Sequence, residues 1–161
     1  MLAPLIPIAE RIALRLKARG ETVAVAESAA GGLISAALLS VPGASAYFLG
    51  GGVIYTAKAR ALLTGVTKEK LEGLRPASEL YALLMAGDVR ERFAASWGVA
   101  ETGAAGPAGN PYGDAAGHAC VAIAGAGRAV ARTVETRHGE RAANMATFAL
   151  AALTLLEEAL A

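Results

Sequence analysis

The sequence predicts a three-layer α/β/α sandwich with a mixed β-sheet, built as one domain over residues 1–161. Three observations carry that prediction. Short apolar strands alternate with helical stretches along the first two thirds of the chain, the order that builds a sheet covered on both faces. The pattern switches from strand to helix at Val23-Ala24-Val25-Ala26-Glu27-Ser28-Ala29-Ala30-Gly31-Gly32-Leu33, where a β-branched run ends at one polar pair and a Gly-Gly turn opens a helix. Finally, Gly117 to Ala124 and Arg128 to Glu135 flank Gly125-Ala126-Gly127 as a β-hairpin does.

Each element follows from local chemistry. Pro7 suits a first helical position, and Ile8, Ala9, Ile12, Ala13 and Leu16 share one helix face that ends at Gly20. The strand through Val25 comes next, then a helix from Leu33 to Leu39 that stops before Pro42-Gly43. The glycines Gly50-Gly51-Gly52 lead into a predicted second strand, Val53-Ile54-Tyr55, and mark a close approach of backbone to a ligand or neighbour. A helix that begins in Thr56-Ala57-Lys58-Ala59-Arg60 is predicted through Leu62-Leu63 to a turn at Gly65, and a short one from Lys68 to Leu74. Ser78 reads as the N-cap, with Glu79 in the first turn, of a longer helix through Leu80, Leu83, Leu84, Val89 and Phe93 to about Trp97. A short strand, Val99 to Thr102, precedes a glycine-rich loop from Gly103 to Gly117. The last helix runs through Met145, Ala149, Ala152, Leu153, Leu156 and Leu160 and is apolar nearly all round, so it packs on the sheet.

Composition narrows the function classes. With 55% hydrophobic and 18% charged residues, dominated by Ala and Gly, the chain packs small side chains closely and is not disordered. A net charge of +1 with interspersed signs and 5% aromatic residues gives no footprint for nucleic acid. No run is long and apolar enough to span a bilayer, the start lacks a basic leader, and the expected location is cytoplasmic. The single Cys120 sits in an apolar strand and reads as a small core residue. His118 and His138 lie in no ligand pattern, so neither a metal nor another cofactor is expected.

Glu27 and Ser28 stand at a strand's carboxyl end, the edge where open α/β sheets bind ligands. A Ser at such a turn can cap the helix. Equally, with amides from Ala29 to Gly32 nearby, it can be a nucleophile beside an oxyanion hole. The loop Gly103 to Gly109 can cradle a phosphate with backbone amides. Ala26 to Gly32 resembles the A-E-S-C-T-G-G signature of the CinA carboxyl-terminal family of nicotinamide mononucleotide (NMN) amidases. It is joined in family order by Val41-Pro42-Gly43-Ala44-Ser45-Ala46-Tyr47-Phe48, Gly52-Val53-Ile54-Tyr55, Leu63-Thr64-Gly65-Val66 and Thr102-Gly103-Ala104-Ala105-Gly106-Pro107.

That resemblance implies the same three-layer fold and hydrolysis of the carboxamide of NMN to nicotinate mononucleotide and ammonia, with Ser28 as nucleophile. It implies no cofactor, a small nucleotide substrate as partner, and a homo-oligomer. Tyr55 is expected to donate to substrate or to Ser28, and Glu27, Gly31, Gly32, Ser78, Thr102, Gly103, Gly106 and Gly109 to contact substrate. The family's base, a Lys five residues beyond its strand-end Tyr, is Arg60 here, and an arginine binds phosphate but does not accept a proton. Lys58 is the nearest amine that can stand in. Other departures are Ala29-Ala30 for Cys-Thr, Asp114 to His118 for Lys-Pro-Val-Gly-Thr, and Met145 where the family carries an Arg on its last helix. Two further readings remain: a catalytically silent relative that binds a nucleotide, and a structural subunit that works by oligomerising.

Overall fold

A computed structural model of the chain describes residues 1–125 and 127–161; Ala126, at the centre of the predicted hairpin turn, lies outside the described residues. The elements are α1 (Ile6–Arg19), β1 (Val23–Glu27), α2 (Leu33–Leu39), β2 (Phe48–Val53), α3 (Ala57–Leu63), α4 (Glu79–Phe93), β3 (Trp97–Ala104), β4 (His118–Gly125), β5 (Arg128–Glu135) and α5 (Arg141–Ala159). The sheet order is β2-β1-β3-β4-β5. β1 runs parallel to β2 and β3, and β3, β4 and β5 are successively antiparallel. The sheet is therefore mixed, as the hairpin requires.

Side chains alternate across each strand. Val23, Val25, Trp97, Val99, Val121 and Ile123 form one core with α1, α2 and α5, while Ala24, Ala26, Ala100 and Ala122 form a second with Tyr81, Ala82, Met85, Ala86 and Val89 of α4. The apolar face predicted for α1 is buried as read, and Gly20 ends that helix in the left-handed region. In α4 the buried residues are Tyr81, Ala82, Met85, Ala86, Asp88 and Val89, and Leu80 is turned to solvent.

Three boundaries differ from the sequence reading. The glycines lie inside β2, and Ile54 and Tyr55 follow it. A Cβ on Gly51 would stand 2.0 Å from the carbonyl oxygen of Val25, so the glycine answers a neighbouring strand rather than a ligand. The predicted helix over Lys68 to Leu74 is only a 3-10 turn, Glu69–Leu71, with no buried residue to hold it. Trp97 and Gly98 open β3 rather than ending α4, which stops at Ala94 in a left-handed conformation.

Candidate active site

β1 and β3 are neighbours in parallel, so their carboxyl ends bring Ser28 beside Thr102 and Gly103. The parity of β1 turns Glu27 toward α2 and leaves Ser28 facing the α4 side. There a cavity of about 390 Å³ is lined by Ser28, Tyr55, Arg60, Tyr81, Thr102, Gly103 and Tyr112, among others. An adjoining cavity of about 200 Å³ holds Ala29, Gly106, Gly109 and Arg141, and shares Tyr55, Gly103 and Asn110 with the first. A third, more apolar cavity of about 180 Å³ lies behind Ile54 between β2 and α4. Its one carboxylate, Asp88, is held by the Gly65 amide at 3.0 Å.

Several predicted site residues prove to be committed elsewhere. Glu27 is buried and accepts from the amides of Gly32 (3.0 Å), Ile34 (3.1 Å) and Ser35 (3.0 Å) and from the Ser35 hydroxyl (2.7 Å). It caps α2 from the end of β1 and does not reach the cavity. The amide of Gly31 bonds the Ser28 carbonyl and that of Gly32 bonds Glu27, so neither is open to an oxyanion. Both residues have positive φ, and a Cβ on Gly31 would meet the Met145 methyl at 2.6 Å. These glycines serve the turn and its packing.

Ser78 accepts from the Tyr81 amide at 3.2 Å and donates to the Arg75 carbonyl at 2.6 Å, which fixes it as the α4 cap and keeps it off the cavity wall. Lys58 is exposed and outside the cavity lining, because two residues of helix turn it more than half a turn from Arg60. Arg60 does line the cavity. Its guanidinium donates to the Tyr81 hydroxyl at 3.2 Å and lies 5.9 Å from that ring's centre.

The glycine loop is held from both ends. Asn110 Oδ1 accepts from the amides of Tyr112 (3.0 Å) and Asp114 (3.1 Å), and Asp114 in turn accepts from Asn110 Nδ2 (2.8 Å) and Arg75 (2.5 Å). Burial raises Asp114, but the Arg75 and Asn110 donors outweigh it and hold the acid below its usual range. At the other end, Asn144 of α5 donates to the carbonyls of Ala105 and His138, both at 2.8 Å. Within the loop the amides of Gly106, Ala108 and Gly109 donate to no described protein acceptor.

Sequence reasoning missed four participants. Arg141 donates to the Gly106 carbonyl (2.6 Å) and to the Tyr55 hydroxyl (3.0 Å), joining α5 to both cavities. It stands one helical turn before Met145, on the same face, so a search of that face rather than of one position finds it. Asn110 and Tyr112 sit in the glycine loop and line the cavity, although neither is named as a site residue from the sequence. Glu101 is 2% exposed beneath the Ser28 turn, and its Oε2 accepts from the amides of Ser28 (3.0 Å) and Ala30 (2.7 Å). A carboxylate in the small-residue strand Val99 to Gly103 was the available signal, since buried acids need a reason.

His118, set aside as a ligand, anchors the cavity wall. Its Nδ1 bonds Glu135 and its Nε2 donates to the carbonyl of Ala77 (2.8 Å), with Asp114 3.6 Å away. Burial pulls His118 down, but Glu135, the Ala77 carbonyl and Asp114 together hold it above its ordinary value. Cys120 lies 3.8 Å from that ring, buried and pushed up by burial, and its S–H points to the Ala77 carbonyl. It is a core thiol with no nucleophilic setting.

Among the described residues no three His, Cys, Asp or Glu side chains cluster as a metal site, and no helix is long and apolar enough to cross a membrane. Residues 5–160 match the family model described as the CinA C-terminal domain. A CinA-like protein of Synechocystis is 46% identical over 102 residues, 63% of this chain and 24% of that protein. The chain thus spans about a quarter to a third of the length of the curated relatives it matches. The crystal structure of a competence-damaged protein (CinA) superfamily protein from Klebsiella pneumoniae superposes with a TM-score of 0.89 at 28% identity, covering 97% of each chain. That of the competence/damage inducible protein CihA from Agrobacterium tumefaciens does so at 0.86 and 33%, covering 97% of this chain and 94% of that one.

Proposed function

Because the chain belongs to the CinA C-terminal domain family, we propose that the cavity at Ser28 is a hydrolytic site of the NMN amidase type. The observation that carries this reading is the convergence of Ser28, Tyr55, Arg60, Thr102 and Gly103 on one cavity, continuous with a loop whose amides are free. A concave site of this size with a few directed polar groups suits a mononucleotide.

In the proposed reaction the pyridine ring enters between Tyr55 and Tyr112, and the phosphate meets the amides of Gly106, Ala108 and Gly109, with Arg60 or Arg141 at its edge. Ser28 Oγ attacks the carboxamide carbon, and the carbonyl oxygen becomes an oxyanion. The donor for it is the amide of Ala29, the one amide between Ser28 and Gly32 with no described partner. The hydroxyl proton leaves to solvent, because Arg60 stays protonated. As the intermediate collapses, the amide nitrogen takes one proton from water and the C–N bond breaks, releasing ammonia and leaving an ester on Ser28; water then cleaves that ester to give nicotinate mononucleotide and free Ser28. Without a positioned base, turnover is expected to fall below that of a lysine-assisted site by roughly a hundred- to ten-thousand-fold.

A second reading, a nucleotide-binding relative without turnover, is favoured by one observation: no lysine lines the cavity. Incubating the purified protein with NMN, and measuring ammonia together with nicotinate mononucleotide, separates the two. Equimolar products that vanish in Ser28→Ala support the amidase, and binding of NMN without either product supports the silent relative.

A further inference from the structure

Glu101 is the buried charge that the proposed reaction leaves unused. Its Oε2 takes two hydrogen bonds, from Ser28 and Ala30, while Oε1 is buried and bonds nothing among the described residues. Among the described residues no cation pairs with it, and the charge of Glu27, another carboxylate on the adjacent strand, adds to the cost of ionising it. α5 covers this turn with Met145, which lies over Gly31, and its first-turn Arg141 is directed to Gly106 and Tyr55 instead. β4 presents Val121 opposite.

From this placement we infer that Glu101 is a positioning residue that gates the Ser28 turn by its charge: neutral Glu101 lets negative charge develop at Ser28, and ionised Glu101 opposes it. The inference deepens the amidase reading and rests on it for the role of Ser28. Two effects compete. Ionisation strengthens the bonds from the Ser28 and Ala30 amides, which orders the turn. It also sets a negative charge close to the site of the oxyanion. An oxygen held by the Ala29 amide lies within two hydrogen bonds and a peptide unit of Glu101, about 9 Å. Repulsion at that range and an effective dielectric near 20 slows attack on the order of twentyfold, against the several-fold that a firmer hydrogen bond returns. Repulsion wins, so ionised Glu101 acts as a brake. The brake sits in a useful range: burial, with the Glu27 charge adding to it, outweighs the two amides and pushes Glu101 up to about 7.

The test uses a fluorophosphonate, which reacts with nucleophilic serines through an anionic transition state and needs no NMN turnover. Intact mass spectrometry follows labelling of the full chain from about pH 5 to about pH 9, with Ser28→Ala as the control for site. Glu101→Gln keeps the shape and one acceptor oxygen while removing the charge. The gate predicts that above neutrality Glu101→Gln labels faster than wild type, by several-fold to about tenfold, and that the two converge below about pH 6. A gain that grows only above neutrality follows the charge of Glu101, whereas a loosened turn would change labelling at every pH. In parallel, the amide resonances of Ser28 and Ala30 should titrate together in wild type and stay flat in Glu101→Gln.

Equal or slower labelling by the Gln variant at every pH overturns the gate, as does a wild type whose Ser28 is never labelled. Titration of the amides without a change in labelling overturns it too, leaving a structural carboxyl. A protein that labels as predicted yet leaves NMN intact counts against the amidase reading alone.

Discussion

In the proposed reaction Arg60 limits the expected rate, since it shares the cavity with Ser28, stands where the family resemblance implies a base, and cannot accept the proton. Arg60→Lys should therefore raise NMN turnover, with a gain of roughly tenfold or more visible as ammonia release. The loss of the bond to Tyr81 sets a limit to that gain, because it helps fix where the side chain points. An unchanged or lower kcat at saturating NMN would show that the amine does not reach Ser28. Residue positions were legible from sequence where they follow from strand ends: Ser28, Thr102 and Gly103 meet because β1 and β3 are parallel neighbours. They were not legible where a partner lies far along the chain. Nothing local to Glu101 reveals that its oxygen takes an amide expected to serve substrate, since it bonds residues more than 70 positions away.

At the scale of elements, the Gly103 to Gly117 loop is the part whose rigidity the proposed binding most depends on. Asn110 and Asp114 hold its turn, and Arg75 ties it to the start of α4. Removing the carboxylate in Asp114→Ala frees two donors at once and should weaken NMN binding by several-fold to tens-fold while leaving the global unfolding midpoint nearly unchanged. Calorimetric titration of NMN against nicotinamide riboside locates the loss: if the loop holds the phosphate, Asp114→Ala affects NMN and spares the riboside. Equal losses for both would place the effect on the ring end instead. The elements themselves were readable where apolar period and caps agreed, as in α1, α3 and the hairpin. β2 was misplaced because β-branched Val53-Ile54 outscores three glycines locally, whereas the glycines are selected by the backbone of β1 lying against them. The helix expected at Lys68 to Leu74 had no tertiary face to complete it.

For the whole molecule, His118 joins β4 and β5 to the Ala77 wall of the cavity, so its protonation bears on stability as well as on shape. Its folded value is raised above the ordinary one. The folded state thus holds the proton more tightly than the unfolded chain, and the stability this brings is complete below the ordinary histidine range and is lost as pH rises through the raised value. Denaturant midpoints for wild type and His118→Gln should differ clearly near about pH 6 and converge toward about pH 9. A constant difference would mean that His118 contributes by packing alone. Sequence alone carried the sandwich, the sheet edge that bears the site and the family, because those rest on periodicity and on strand-end motifs; the cavity's own electrostatics rest on contacts that only the folded chain makes. The central claim, that Ser28 attacks the carboxamide of NMN, is tested most directly by mixing the protein with excess NMN, quenching in acid within the first turnovers and locating any adduct by peptide mass spectrometry. The account predicts a nicotinoyl mononucleotide ester on the Ser28 peptide that forms with the release of ammonia and is absent in Ser28→Ala. Ammonia released at the same rate by wild type and Ser28→Ala, with no ester on either, would contradict it.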